Sequence, residues 1–80
     1  MSNKSLIRFV IQRDSNNDRE WLNNKGLYTP NFENAVTFAY ASHAIDERDM
    51  QAQINPKDYF QIRVALCEVV GGQIHITELC

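Results

Sequence analysis

The 80-residue chain has few of the residues that mark a specialised chemistry, with two cysteines, three glycines, two prolines and one tryptophan. Two cysteines are too few for the disulfide framework of a small secreted domain, and no Cys-x-x-Cys spacing indicates a zinc site. No apolar run approaches the ~20 residues that span a bilayer. Residues 1–5 are polar and lack the apolar core of a secretion signal. We therefore expect a cytoplasmic protein with free thiols.

The chain also lacks an excess of either charge. Eight basic and ten acidic residues give a formal net charge of -2. This balance disfavours general nucleic-acid binding, which usually needs a clustered basic face, and it leaves a basic protein partner possible. The length predicts a single globular domain over residues 1–80 with one modest core. Such a domain buries only about 60% of its unfolded surface, so a partner or a homodimer can add stability.

Alternating apolar residues predict strands over residues 6–13, 19–22, 59–70 and 73–79. The first strand is apolar on one face and half apolar on the other, which is typical of a central strand. Trp21 is the predicted core anchor of the second strand. Gly71 and Gly72 are typical of a two-residue hairpin turn, which places Glu68 opposite His75 unless a bulge shifts the register.

Between these strands, residues 31–45 carry a helical pattern. Apolar residues recur with helical spacing at Phe32, Ala35, Val36, Ala39 and Tyr40, and His43 follows on the same face. Asn31 is a favoured N-cap, so we predict the main helix here. The polar residues 46–54 either extend this helix or form a second short one. The predicted fold is α+β, a four-stranded antiparallel sheet of ββαββ order with one main helix packed on one face.

One short segment has the spacing of a metal-binding loop. Asp14, Asn16 and Asp18 stand at positions 1, 3 and 5 of a calcium loop. Arg19 replaces the glycine that makes the sharp turn, and Lys25 replaces the bidentate glutamate. A turn between two strands explains the same residues, so we predict no metal site.

Cysteine and histidine offer a second route to chemistry. His43 and His75 could join Cys67 in a metal site or in a Cys-His nucleophile pair. No ligand spacing supports the metal, and no third group is in place to orient a base. A packed cysteine and two ordinary histidines are the simpler interpretation. We therefore predict no cofactor and no enzymatic activity.

Two surfaces remain as candidate binding sites. The first is acidic and surrounds the helix and the loop after it, where we predict contacts to a basic protein surface from Glu33, Asp46, Glu47, Asp49 and Asp58. The alternative is an open sheet face that stacks nucleic-acid bases, although the paired aromatic residues of such platforms are absent. Its candidate residues are Arg8, Tyr59, Gln61 and Arg63.

About half of the chain, residues 7–45, resembles small accessory proteins of phages and prophages. The matching residues are Phe9-Val10-Ile11, Trp21-Leu22, Gly26-Leu27-Tyr28-Thr29, Asn31, Ala35 and Phe38. Such proteins are similar to host-defence antagonists, including anti-CRISPR proteins, in being short, acidic, single-domain and without catalytic residues. The resemblance implies a non-enzymatic inhibitor that blocks a surface of a larger host complex, and it assigns no role to any single residue.

Overall fold

In the computed structural model, which describes residues 6–15, 18–58 and 60–78, the chain forms an antiparallel sheet with one main helix. The predicted α+β class is confirmed, but the sheet has five strands instead of four, in the order β3-β2-β1-β4-β5. The extra strand is the two-residue β3. The elements are β1 (Leu6–Ser15), β2 (Asp18–Leu22), β3 (Tyr28–Thr29), α1 (Ala41–Ile54), β4 (Ile62–Val70) and β5 (Gln73–Glu78), with 3-10 turns at Phe32–Asn34 and Pro56–Asp58.

The first strand is central, as predicted, because β1 pairs with β2 on one side and with β4 on the other. Its two faces are buried at adjacent positions, Val10 and Ile11. The β4–β5 hairpin also has the predicted register, with Val70 opposite Gln73 and Glu68 opposite His75. Gly71 and Gly72 have φ values of 57° and 81°, the positive values that this turn requires.

The predicted helix over residues 31–45 is wrong in its position. After the 3-10 turn the backbone is extended, and Phe38 forms a bridge with Phe9 through two N–H···O bonds of 2.8 Å. The Val36 N–H donates to the Leu22 carbonyl at 2.8 Å. This segment satisfies backbone groups of β1 that β2 does not reach, since β2 pairs only with the last four residues of β1, starting at Gln12.

The main helix therefore begins only at Ala41 and continues through the polar residues 46–54. Its buried positions are Ala44, Gln51 and Ala52, so small side chains bring the helix close to the sheet. The Asn55 N–H closes the helix with a 2.9 Å bond to the Gln51 carbonyl. Residues 46–54 therefore belong to the same helix as Ala41 and do not form a second short helix.

Two apolar clusters lie on opposite faces of the sheet. The larger one, under α1, contains Ile11, Leu22, Ala44, Ile62 and Val64. The second cluster contains Val10, Ala65 and Cys67, and Trp21 and Phe32 pack against it. Trp21, the predicted core anchor, is half-buried and meets the Phe32 ring edge-on with centroids 5.1 Å apart. None of the described helices has the length and apolar character needed to cross a membrane.

Candidate functional site

The exposed side of α1 combines acidic and apolar side chains. Because successive residues turn by 100°, the side opposite Ala44 and Ala52 presents one continuous group of side chains. We call this group the outer helix surface; its members are Asp46, Asp49, Met50, Gln53 and Ile54, all exposed. Met50 is 53% exposed and Ile54 is 64% exposed, so two large apolar side chains one helical turn apart stand beside the acids.

The one arginine of α1, Arg48, contacts both the sheet and one acid of this surface. Arg48 is half-buried, and its Nε donates a 2.9 Å hydrogen bond to the Ile62 carbonyl of β4. Its Nη1 lies 3.2 Å from Asp49 Oδ1. Arg48 therefore fastens the helix to the sheet, and at the same time it holds the Asp49 carboxylate in place.

The five acids that the sequence suggested as contacts are divided among three places. Asp46 and Asp49 lie on the outer helix surface. Glu33 is exposed on the first 3-10 turn and lines a cavity that also contains Lys25. Glu47 and Asp58 are half-buried and already have partners inside the molecule. Only Asp46 and Asp49 of the five thus share an exposed surface, and Asp49 also pairs with Arg48 at its border.

Glu47 and Asp58 belong to a polar cluster at one end of the sheet, which also contains Arg13, Glu20, Tyr28 and Gln51. Arg13 is its centre: its Nη2 lies 2.7 Å from Glu20 Oε1 and its Nη1 lies 3.5 Å from Asp58 Oδ2. The Arg13 guanidinium also lies over the Tyr28 ring, 4.0 Å from its centroid. Two carboxylates and one aromatic ring therefore surround the Arg13 guanidinium.

Tyr28 links the polar cluster to the helix. Its hydroxyl donates to Gln51 Oε1 at 3.3 Å, and Gln51 Nε2 donates to Glu47 Oε2 at 3.0 Å. Burial raises the pKa of Tyr28 to about 12; the nearby Arg13 opposes this rise and the surrounding carboxylates add to it. The hydroxyl therefore stays protonated at neutral pH and acts as a donor, not as a base.

A cavity of about 510 Å³ opens beside the polar cluster. Leu27 and Ile54, which are both largely exposed, share its lining with Arg13, Tyr28 and Gln51. Sequence reasoning missed Arg13, Glu20, Tyr28 and Gln51 because they are far apart along the chain. One signal was present: Arg13 follows Ile11 on the apolar face of β1, and a charge there needs a buried partner.

The residues of the nucleic-acid alternative do not form an open basic platform among the described positions. Arg8 and Arg63 share the face opposite α1, but Val10 and Ala65 lie between them and are fully buried. The Arg8 guanidinium donates to the Ile7 carbonyl at 2.8 Å. Gln61 is exposed beside β4. Tyr59 lies outside the described residues, so this alternative stays a prediction.

The cysteine and the histidines are not brought together. Cys67 lies opposite Ile76 and His75 lies opposite Glu68, so the thiol and the imidazole are on different faces of the hairpin. Burial raises the pKa of the Cys67 thiol, which disfavours the nucleophilic thiolate. His43 is exposed and packs edge-on against Tyr40, with ring centroids 5.5 Å apart.

The suggested calcium loop is only partly described, because Asn16 lies outside the described residues. Asp14 Oδ1 lies 3.5 Å from Arg19 Nε, in an exposed ion pair. Across residues 6–15, 18–58 and 60–78, no three potential ligand side chains of the His, Cys, Asp or Glu type are grouped as a metal ion would require. Cys80 also lies outside this part of the chain.

Comparisons of this chain with protein families, with curated proteins and with solved structures found no match. The outer helix surface and the polar cluster are the features on which a functional proposal can be built.

Proposed function

We propose that this protein is a non-enzymatic protein-binding module that docks through its outer helix surface on a partner with a basic surface. The observation that carries the proposal is that both exposed charged side chains of α1, Asp46 and Asp49, are acidic. They stand beside the exposed apolar side chains of Met50 and Ile54. Apolar anchors supply affinity in such interfaces, while charges of one sign select the partner and speed its approach.

The surface is also held rigidly, which lowers the entropy cost of binding. Ala44 and Ala52 pack α1 closely on the sheet, and Arg48 fastens it to the Ile62 carbonyl. The adjoining cavity adds a recess in which Leu27 and Ile54 can receive an apolar side chain of the partner. The mechanism is then steric and electrostatic occlusion, without any covalent step.

In its most concrete form, the protein is an inhibitor or accessory protein of a mobile element. It would act in the cytoplasm and cover a basic surface of a host complex, including a surface that otherwise grips nucleic acid. This form rests on the sequence resemblance, whereas the choice of α1 as the docking element rests on its exposed side chains.

The test compares two charge-matched variants in a quantitative pull-down from a lysate of the organism that encodes the chain. D46N/D49N removes both acids from the outer helix surface, and D14N/D18N removes two acids at the β1–β2 turn. We expect the first variant to lose at least about tenfold in captured partner, which corresponds to 1.4 kcal/mol, and the control to keep it. Circular dichroism and thermal melts verify that both variants fold.

Raising the salt concentration should weaken wild-type capture and leave D46N/D49N less affected, because screening acts on exposed charges. Equal capture by wild type and D46N/D49N would remove the outer helix surface from the proposal. Equal loss in both variants would show a dependence on net charge alone, which would also overturn it.

A further inference from the structure

The two edges of the sheet are protected to very different degrees. At one edge, β3 is only two residues long and runs directly into Pro30. At the other edge, β5 has six residues, and in the described part of the chain it pairs with β4 alone. Short strands and prolines are common devices against unwanted strand pairing, so the β3 edge is closed and the β5 edge is open.

The sequence of β5 has few of the devices that usually protect an edge, and its only acidic residue, Glu78, stands at its end. It contains no lysine, arginine or proline, and its six pairs with β4 follow one another without a bulge. Ile74 is 52% exposed, and Gln73, His75 and Thr77 are exposed as well. A regular edge strand of this kind is a ready template for another strand.

The hairpin fixes which backbone groups of β5 are available. The turn brings the Val70 carbonyl to the Gln73 N–H, and hydrogen-bonded pairs then alternate along the two strands. His75 therefore bonds inward to Glu68. Ile74 and Ile76 direct their N–H and C=O groups outward, where an added antiparallel strand can accept and donate.

We propose that β5 pairs antiparallel with β5 of a second copy of this chain, about a two-fold axis at His75, so that two five-stranded sheets join into one. In this register Ile74 lies opposite Ile76 of the second copy, and Gln73 lies opposite Thr77. Apolar residues meet apolar residues on one face, and polar residues meet polar residues on the other.

Other registers fit less well. A shift that places the axis between two residues sets an outward-directed backbone group against an inward-directed one, so the ladder cannot form. An axis at Ile76 forms a ladder but sets Ile74 opposite Glu78. The axis at His75 instead extends the apolar strip of Val69 and Ile76, which pack against the second core cluster, into the same strip of the second copy.

Self-complementarity is the reason for choosing a second copy over a strand of another protein. The pairs about His75 repeat identically on both sides of the axis, as an isologous interface requires. A chain of this size also gains stability from such an extension of its core. The proposal uses neither α1 nor its acids, so it stands or falls separately from the proposed partner binding.

Cysteine cross-linking tests the register directly, in a background in which Cys80→Ser removes the terminal thiol. In a non-hydrogen-bonded antiparallel pair the Cα atoms are about 4.5 Å apart, within the range of about 4.4–6.8 Å that a disulfide spans. We expect H75C to form a covalent dimer under mild oxidation. T77C alone should stay uncross-linked, but it should cross-link when mixed with Q73C.

Light scattering over a range of concentrations completes the test. Wild type should show a dimer mass that falls toward the monomer on dilution, and H75K should shift this equilibrium to the monomer because it sets two ammonium groups face to face. Cross-linking of H75C with T77C in a mixed sample, in place of H75C with itself, would overturn the register because it would put the axis at Ile76. A wild-type mass that stays monomeric at all concentrations, with no cross-link through H75C, would overturn the dimer.

Discussion

Raising the pH through the titration of Tyr28 should destabilise the fold by a predictable amount. In the folded chain burial raises the pKa of this hydroxyl to about 12, against an ordinary value of about 10. The folded state therefore keeps a proton that the unfolded chain loses first. Stability from this group is fully present below about pH 10 and is lost as the pH rises to about 12, because the unfolded state then binds fewer protons.

The size of the effect follows from the same difference. A separation of two pH units corresponds to a ceiling of about 2.7 kcal/mol, and solvent screening of a half-buried group reduces this to about 1–1.5 kcal/mol. Tyr28→Phe removes the titration altogether. It also removes the 3.3 Å hydrogen bond to Gln51, which costs about 0.5–1.5 kcal/mol at every pH.

The assay is a set of urea melts between pH 9 and pH 12 on wild type and on Tyr28→Phe, with ultraviolet difference absorbance following tyrosinate formation. Subtracting the two pH profiles cancels the titration of lysines and of the other tyrosines. The wild type should lose about 1–1.5 kcal/mol more than the variant over this range. Parallel profiles, or a Tyr28 hydroxyl that ionises with its ordinary pKa, would refute the buried position of this ring.

Two further changes test the core. Ile11→Ala should lower the unfolding free energy by about 2–5 kcal/mol in urea melts, because Ile11 is fully buried under α1. Ile7→Ala is the matched control on the same strand and face, and its smaller cost should follow from its 45% exposure; equal costs would contradict the placement of α1. Cys67 should react with iodoacetamide at neutral pH far more slowly in the native chain than after denaturation, because its thiol is buried. Rapid labelling of the native chain would contradict this and indicate a reactive thiol.

The features that the sequence predicted correctly are determined by residues that lie close together along the chain. The alternation around Val10 and Ile11 shows that both faces of β1 are apolar, which suits a strand paired on both sides. Gly71 and Gly72 supply the two positive φ values of a short hairpin, and this turn sets the whole β4–β5 register. Local conformational preference is enough to determine such features.

The wrongly placed helix shows that local conformational preference could not predict the structure of residues 31–45. Residues 31–45 have helical spacing, yet Val36 and Phe38 are β-branched or aromatic and pair with Leu22 and Phe9 across the sheet. The spacing could not reveal that part of β1 lacked a partner on that side. Satisfying those backbone groups outweighed the local periodicity. The true helix, by contrast, has little apolar periodicity because it buries alanines and a hydrogen-bonded glutamine.

The sequence shows that residues 46–58 are rich in acidic side chains, but it does not show which of these side chains remain exposed in the fold. The fold brings Arg13 between Glu20 and Asp58, and it gives Glu47 a donor in Gln51. Charge alone therefore set the acidic character of this region. Only tertiary packing decided which carboxylates are half-buried in contacts with distant residues and which stay exposed on the outer helix surface, because such contacts depend on which strands and helices become neighbours.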